Sequence, residues 1–393
     1  MNGTGEIAEK KVNKTTRKKG ELDGVYLILL CALVCAGLLM LISASTPDSI
    51  GTANPYSGII KNCIIAVIGF VVMLGVANGP DYILFRKYVR LFYAVCVLVM
   101  FLTPFIGVER LGATRWIQLG PISVQPSEVM KIALILCLAD VLSEEKKRNV
   151  EKMSLLQKIL YNFRAEILIL IPALGAVAQS HLSGAIILCG IGFVMLIAYG
   201  MPKSHIAGAG ILGVGGAAYL AISEPYRLQR LMGYRNPEAD PLGNGWLILQ
   251  SLYAICSGGL FGVGFGQSRQ KYNWLPEASN DYIFAIICEE MGIVGGIAVM
   301  VMFGLFVWRG IKISVNAREM FGCLTAFGVS AMIGLQVIIN IAVVTNLIPS
   351  TGMQLPFFSS GGTSLIIMLA ATGIVLNISR YQKKGAGVIH EIK

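Results

Sequence analysis

Charge is scarce in this sequence. Of its 393 residues only 14% are Asp, Glu, Lys or Arg, and three are His. That is too little polar surface to cover a soluble domain of this length. The nine cysteines include no CxxC pair and no His/Cys cluster, so neither a zinc site nor a disulfide framework is expected. No small-residue cleavage pattern follows the first apolar run, which starts at Gly24, so this run reads as an uncleaved helix and not a signal peptide. There is also no internal repeat of the kind that transporters are built from.

What is abundant is apolar surface: 55% hydrophobic residues and a mean hydropathy of +0.69. Runs of about 20 apolar residues cross a hydrocarbon layer roughly 30 Å thick as helices. The fold class expected is therefore an all-α polytopic membrane protein. Ten spans fall near residues 24–45, 58–78, 88–107, 126–142, 165–178, 184–199, 205–222, 282–308, 321–346 and 361–380. The expected domains are a basic tail at 1–23, a membrane domain at 24–381 with a large outer loop at 223–281, and a second tail at 382–393.

With the N-terminus inside, 23 of the 32 Lys and Arg lie on the inner side and seven on the outer side. This is the asymmetry of the positive-inside rule, and it accounts for the net charge of +10 without nucleic acid. The run WLILQSLYAICSGGLFGVGFG (246–266) is apolar enough for an eleventh crossing. A crossing there would move every later basic loop outside, and its five closely spaced glycines disfavour a straight helix. A re-entrant or interfacial segment is expected instead.

Against this background a few polar residues stand out. In QPSEVMK, Pro126 suits a first helical position and Glu128 the first turn after it. Glu128 and Lys131 share a helix face and can neutralise one another, as a structural pair or as part of a site. Arg115 beside Trp116 reads equally well as an interface anchor or as a cation presented to an anionic headgroup. In YNWLPEASNDYIFAIICEEMG (272–292), Asp281 falls at a helix start, where it would serve as an N-cap or as an active group. Glu289 and Glu290 lie roughly 12 Å deeper at 1.5 Å per residue. Carboxylates that deep must be paired, protonated or facing a polar cavity. The segment NLIPSTGMQLPFFSSGGTSLI (346–366) reads on composition as a stiff connector, and His181 in AQSHLSGAII as a lone structural histidine.

Taken together, GATRWIQLG, QPSEVMK, GGLFGVGFGQS, LPEASNDYIFAIICEEMG and IPSTGMQLPFFSSGGTS resemble the blocks of the SEDS family (shape, elongation, division and sporulation), in order from about residue 24 to 381. The GFGQSRQK block looks more like the FtsW and SpoVE branch than RodA. The resemblance implies a ten-helix enzyme of the bacterial plasma membrane with both termini cytoplasmic. Such an enzyme polymerises lipid II into glycan strands, beside a class B penicillin-binding protein and other divisome proteins. It further implies a catalytic role for Asp281 and places Arg115, Trp116, Gln125, Glu128 and Lys131 on the family's motif positions. Where the family reads QPDLGTA this chain reads QSHLSGA, with Ser180 for Pro and His181 for Asp.

Joining a sugar hydroxyl to an anomeric carbon that carries a lipid diphosphate calls for a general base and for cations around the departing charge. The reaction is an inverting hexosyl transfer. Asp281 fits the base. Arg115, Lys131 and some of Arg227, Arg230, Arg235, Arg269 and Lys271 fit the cations, with Glu277, Glu289 and Glu290 shaping the polar site. A divalent cation, Mg or Mn, could share this work, although no ligand spacing requires one. Two other classes remain open at this stage: a lipid II flippase and a non-catalytic division scaffold.

Overall fold

The computed structural model describes residues 20–46, 57–110, 113–120, 122–144, 163–223, 225–243, 245–272, 274–360 and 362–382. The basic N-terminal tail up to residue 19, the basic stretch 145–162 and the tail from 383 lie outside the described residues. Helices stand at all ten expected places. They are α1 (Gly24–Ala44), α2 (Ser57–Asn78), α3 (Val89–Ile106), α4 (Pro126–Glu144), α5 (Arg164–Ala178), α6 (Leu182–Tyr199) and α7 (Lys203–Ser223), and later in the chain α10 (Ile283–Val315), α11 (Met320–Val344) and α12 (Gly362–Ser379). Between α7 and α10 lie two shorter helices, α8 (Pro225–Arg235) and α9 (Trp246–Gly258). Among the described residues, seven helices are long and apolar enough to cross a membrane: α1, α2, α3, α6, α10, α11 and α12. Large apolar side chains such as Val67, Val71, Leu91, Leu98, Ile211 and Val214 are exposed on the outside of the bundle, the surface a lipid solvent requires.

One end of the bundle is tied by charge. Arg309 near the end of α10 pairs with Asp23, the N-cap of α1, at 2.8 Å. Arg86 and Arg90 converge on Asp140 near the end of α4 at 2.6 and 2.9 Å. Asn377 of α12 donates to the carbonyls of Val76 and Pro80, closing the turn after α2. These residues come from the starts of α1 and α3 and the ends of α4, α10 and α12. The starts of α4, α10 and α12 therefore lie together at the opposite end.

The run 246–266 is not a straight crossing. Its helix α9 has 13 residues, about 20 Å of helix at 1.5 Å per residue, too short for the hydrocarbon layer. Beyond it the chain folds back through Gly259, Gly262, Gly264 and Gly266, all at positive φ. This return seats itself in a break of α10 at Gly292, whose φ is 70° and ψ −174°. The backbone groups released by the break are satisfied across it: the Val263 and Gly264 N–H groups donate to the Glu289 and Glu290 carbonyls, and the Ile293 and Val294 N–H groups to those of Gly259 and Leu260. Broken helices survive in membranes only where such partners exist. At Gly292 a Cβ would stand 2.3 Å from the Leu260 carbonyl oxygen, so only glycine admits the contact.

Sequence reading missed one element. Between α3 and α4 the chain forms a three-stranded antiparallel sheet, β1 (Val108–Arg110), β2 (Ala113–Leu119) and β3 (Ile122–Val124). Strands of three to seven residues leave no trace in a search for 20-residue apolar runs. The available signal was the β-branched and aromatic content of ATRWIQL, followed by the turn residues Gly120 and Pro121.

Candidate functional site

A polar cavity of about 380 Å³ opens at the end of the bundle opposite the charge ties. Several elements aim side chains into it. The sheet supplies Arg115 and Trp116. Neighbours on a strand normally face opposite ways, but the register of β1 and β2 pairs Val108 with Trp116 and Glu109 with Thr114, leaving Arg115 as an extra residue. Such a bulge re-aims side chains, and it lets both residues reach the same cavity. The start of α4 supplies Gln125, Ser127, Glu128 and Lys131. Pro126 is its first residue, as expected. Lys131 Nζ donates to Glu128 Oε1 at 2.8 Å, and Glu128 Oε2 accepts from Ser364 of α12 at 3.1 Å.

Opposite them lies the stretch leading into α10. Asp281 is not its N-cap: that position is Tyr282, and no side chain caps the helix. The capping alternative therefore falls away, and the Asp281 carboxylate belongs to the cavity wall. Its backbone is held from behind, since Asn340 Nδ2 of α11 donates to the carbonyls of Asp281 and Met353 at 2.8 and 2.6 Å. Glu277 sits exposed at the rim at a φ of 56° and accepts from Asn280. Burial and the nearby Glu277 charge push the Asp281 carboxyl up to about 6, against the opposing pull of Arg115 and Arg230.

The segment after α11 is no plain connector. Residues 352–357 line the cavity, and Phe357 and Phe358 anchor the segment against Phe303 and Phe306 of α10. At Gly352, with a φ of 67°, a Cβ would stand 3.3 Å from Asp281 Oδ2, so a bare backbone approaches the carboxylate. Two lining residues were not expected to belong here. His181 is drawn in at the start of α6. Gln336 of α11 is buried with its Oε1 lacking any hydrogen bond. No sequence spacing singled out Gln336.

Lys271 and Glu290 were expected among the substrate-binding residues, and the structure places them elsewhere than this cavity. Neither lines the cavity. Lys271 Nζ closes on Glu290 Oε1 at 3.0 Å, on Ser43 Oγ of α1 at 3.0 Å and on the Gly266 carbonyl at 2.8 Å. Glu289 accepts from the backbone N–H groups of Arg269 and Gln270 and from the Ser268 hydroxyl. Of the three ways to keep deep carboxylates, the chain pairs one and cradles the other in amides. These contacts hold the return after α9 against α1 and α10. Arg230 lies on α8 within electrostatic reach of Asp281, while the Arg227 side chain lies outside the described residues. Among the described residues no three His, Cys, Asp or Glu are grouped to hold a metal ion. Glu128, Glu277 and Asp281 are the carboxylates that line the cavity.

The arrangement suits a reaction on an anionic substrate. A carboxylate able to change protonation near neutral pH faces Arg115 and Arg230, with Lys131 in the same wall. The family model FtsW/RodA/SpoVE, described as cell cycle protein, matches residues 24–384. Stage V sporulation protein E of Bacillus subtilis is 40% identical over 385 residues, covering 94% of this chain and 100% of that protein. A probable peptidoglycan glycosyltransferase FtsW of Trichlorobacter lovleyi is 38% identical over 362 residues, covering 91% of this chain and 93% of the relative. Among solved structures, a chain from work on how a peptidoglycan synthase complex coordinates polymerization and crosslinking matches with a TM-score of 0.72 and 26% identity, over 92% of this chain and 99% of its own. The rod shape determining protein RodA of Thermus thermophilus matches at 0.67 and 25%, over 92% and 98%.

Proposed function

The chain belongs to the FtsW/RodA/SpoVE family of cell cycle proteins, and from that membership and its cavity we infer that it is a peptidoglycan glycosyltransferase that polymerises lipid II on the outer face of the bacterial plasma membrane. The observation that carries the reading is Asp281: a carboxylate free of any capping duty, held by its backbone in the wall of a polar cavity and flanked by cations. As general base it takes the proton of the acceptor sugar hydroxyl while the new bond forms at the anomeric carbon of the donor. Bond formation there expels the lipid diphosphate with inversion. Arg115, Arg230 and Lys131 stabilise the charge that develops on the leaving group, and Glu128 fixes the Lys131 ammonium. Such a base is typically worth 10² to 10⁴-fold in rate, and preorganised cations add to it. A transporter would need a site near the midplane reached from both faces in turn. This cavity lies at one end of the helices.

In this reading the charge-tied end is cytoplasmic, with both termini, and the cavity opens outside. The ten helices at the expected places are ten crossings, flanked by tails at 1–23 and 382–393. The partner is a class B penicillin-binding protein, which supplies the crosslinking, with other divisome proteins around the pair. The growing glycan strand leaves on the outer face. Polymerisation of fluorescent lipid II by purified protein, with and without such a partner, tests the reading. Polymer that is scarce from the chain alone and abundant from the complex supports it, while a complex that binds lipid II and releases no polymer overturns it.

A further inference from the structure

The lone histidine that sequence reading set aside as structural stands in the cavity wall, and its surroundings are specific. His181 is 8% exposed and immediately precedes α6 without capping it. Its ring lies over Gly184, where a Cβ would stand 2.5 Å from Nδ1, so the imidazole occupies space that any other residue at 184 would fill. The turn that delivers it passes through Ser180. Ser180 has a φ of 54°, a conformation closed to the proline that the family pattern carries there. The Ser183 hydroxyl then donates to the Thr351 carbonyl, tying α6 to the segment that lines the cavity beyond Gly352.

The chemistry of the ring follows from its neighbours. Nδ1 lies 3.4 Å from the Ser127 hydroxyl of α4, which leaves Nε2 as the nitrogen available to a ligand. Burial, Arg115 and Lys131 hold the imidazolium form down to about 3, so the ring is neutral at any physiological pH. A neutral imidazole still carries one N–H donor. Placed beside two cations, it adds a directed hydrogen bond without a third positive charge to desolvate.

We propose that His181 is a substrate-contacting residue whose neutral ring donates a hydrogen bond to the diphosphate of the lipid-linked donor, between Arg115 and Lys131. This rests on the glycosyltransferase reading above and extends it to the leaving group. The test uses the full-length chain in complex with its transpeptidase partner and measures two constants: KM for lipid II, and Ki for inorganic diphosphate as competitor. His181→Phe keeps a ring over Gly184 and removes the donor. A hydrogen bond to a charged group corresponds to about ten- to a hundredfold in binding, so both constants rise by that factor while kcat changes much less. His181→Gln, which keeps a neutral N–H at similar reach, restores most of both. A Phe variant with wild-type KM and Ki overturns the proposal, as does one that loses only thermal stability or kcat. Should the Phe variant not fold, His181→Leu carries the same comparison. Wild-type complex that turns over no lipid II counts against the glycosyltransferase reading instead.

Discussion

Replacing Lys271 with methionine isolates the buried charge that holds the re-entrant segment in place. The side chains of Lys271 and Glu290 keep only 1% and 0% of their exposure, and Nζ stands 3.0 Å from Oε1. All three ammonium protons are used, on Glu290, Ser43 and the Gly266 carbonyl. Lys271→Met retains the apolar stem and leaves the carboxylate without its cation. Breaking a buried pair in this way costs about 3 to 5 kcal/mol. Thermal unfolding in detergent reads the effect. At about 2 °C per kcal/mol, Lys271→Met lowers Tm by roughly 6 to 10 °C. The double variant Lys271→Met with Glu290→Gln returns to within about 1 kcal/mol of wild type, because both charges are gone and Ser43 still has an acceptor. Additive losses in the double variant would refute the pairing argument.

In a background lacking the native cysteines, Ser279→Cys reacts with an impermeant thiol reagent from outside and Ser314→Cys does not; the reverse pattern means that 246–266 crosses the membrane. Polymerisation rises with pH through a midpoint near 6, since Asp281 acts only once deprotonated and its carboxyl is pushed up to about 6. Glu277→Gln removes the like charge and moves that midpoint to lower pH, whereas Arg230→Gln removes an opposing cation and moves it higher. A pH profile identical in all three proteins would contradict the assignment of the titrating group.

The helices were legible because a bilayer demands uninterrupted apolar length, and the grouping of their ends because lysine and arginine mark one side. Asp23, Arg86, Arg90 and Arg309 gather accordingly at one end of the bundle. What sequence reading could not supply is how the other ends converge. Arg115 and Trp116 owe their shared cavity to a bulge in a sheet too short to announce itself. Lys271 and Glu290 are 19 residues apart and meet because α10 breaks at Gly292, one glycine among 45. From sequence Lys271 is one more outer cation, and only the structure shows it buried against Glu290. Asp281 was identified by resemblance, and its freedom from the capping role is a fact of geometry. His181 just before α6 and Gln336 on α11 sit among ordinary apolar patterns, so nothing local betrays that they share a wall with Asp281.

The account rests most heavily on Asp281, and Asp281→Asn tests it most directly. Asparagine matches aspartate in size and keeps an acceptor oxygen, so the cavity wall and the Asn340 contact to the backbone survive while the base is lost. The measurement is glycan polymer formed from lipid II by equal amounts of purified wild-type and Asp281→Asn complex, with Tm recorded alongside. The account predicts an unchanged Tm, retained partner binding and polymer reduced by about 10² to 10⁴-fold. Substantial polymer from a well-folded Asp281→Asn complex would contradict it and leave Glu277 as the remaining carboxylate at the cavity rim.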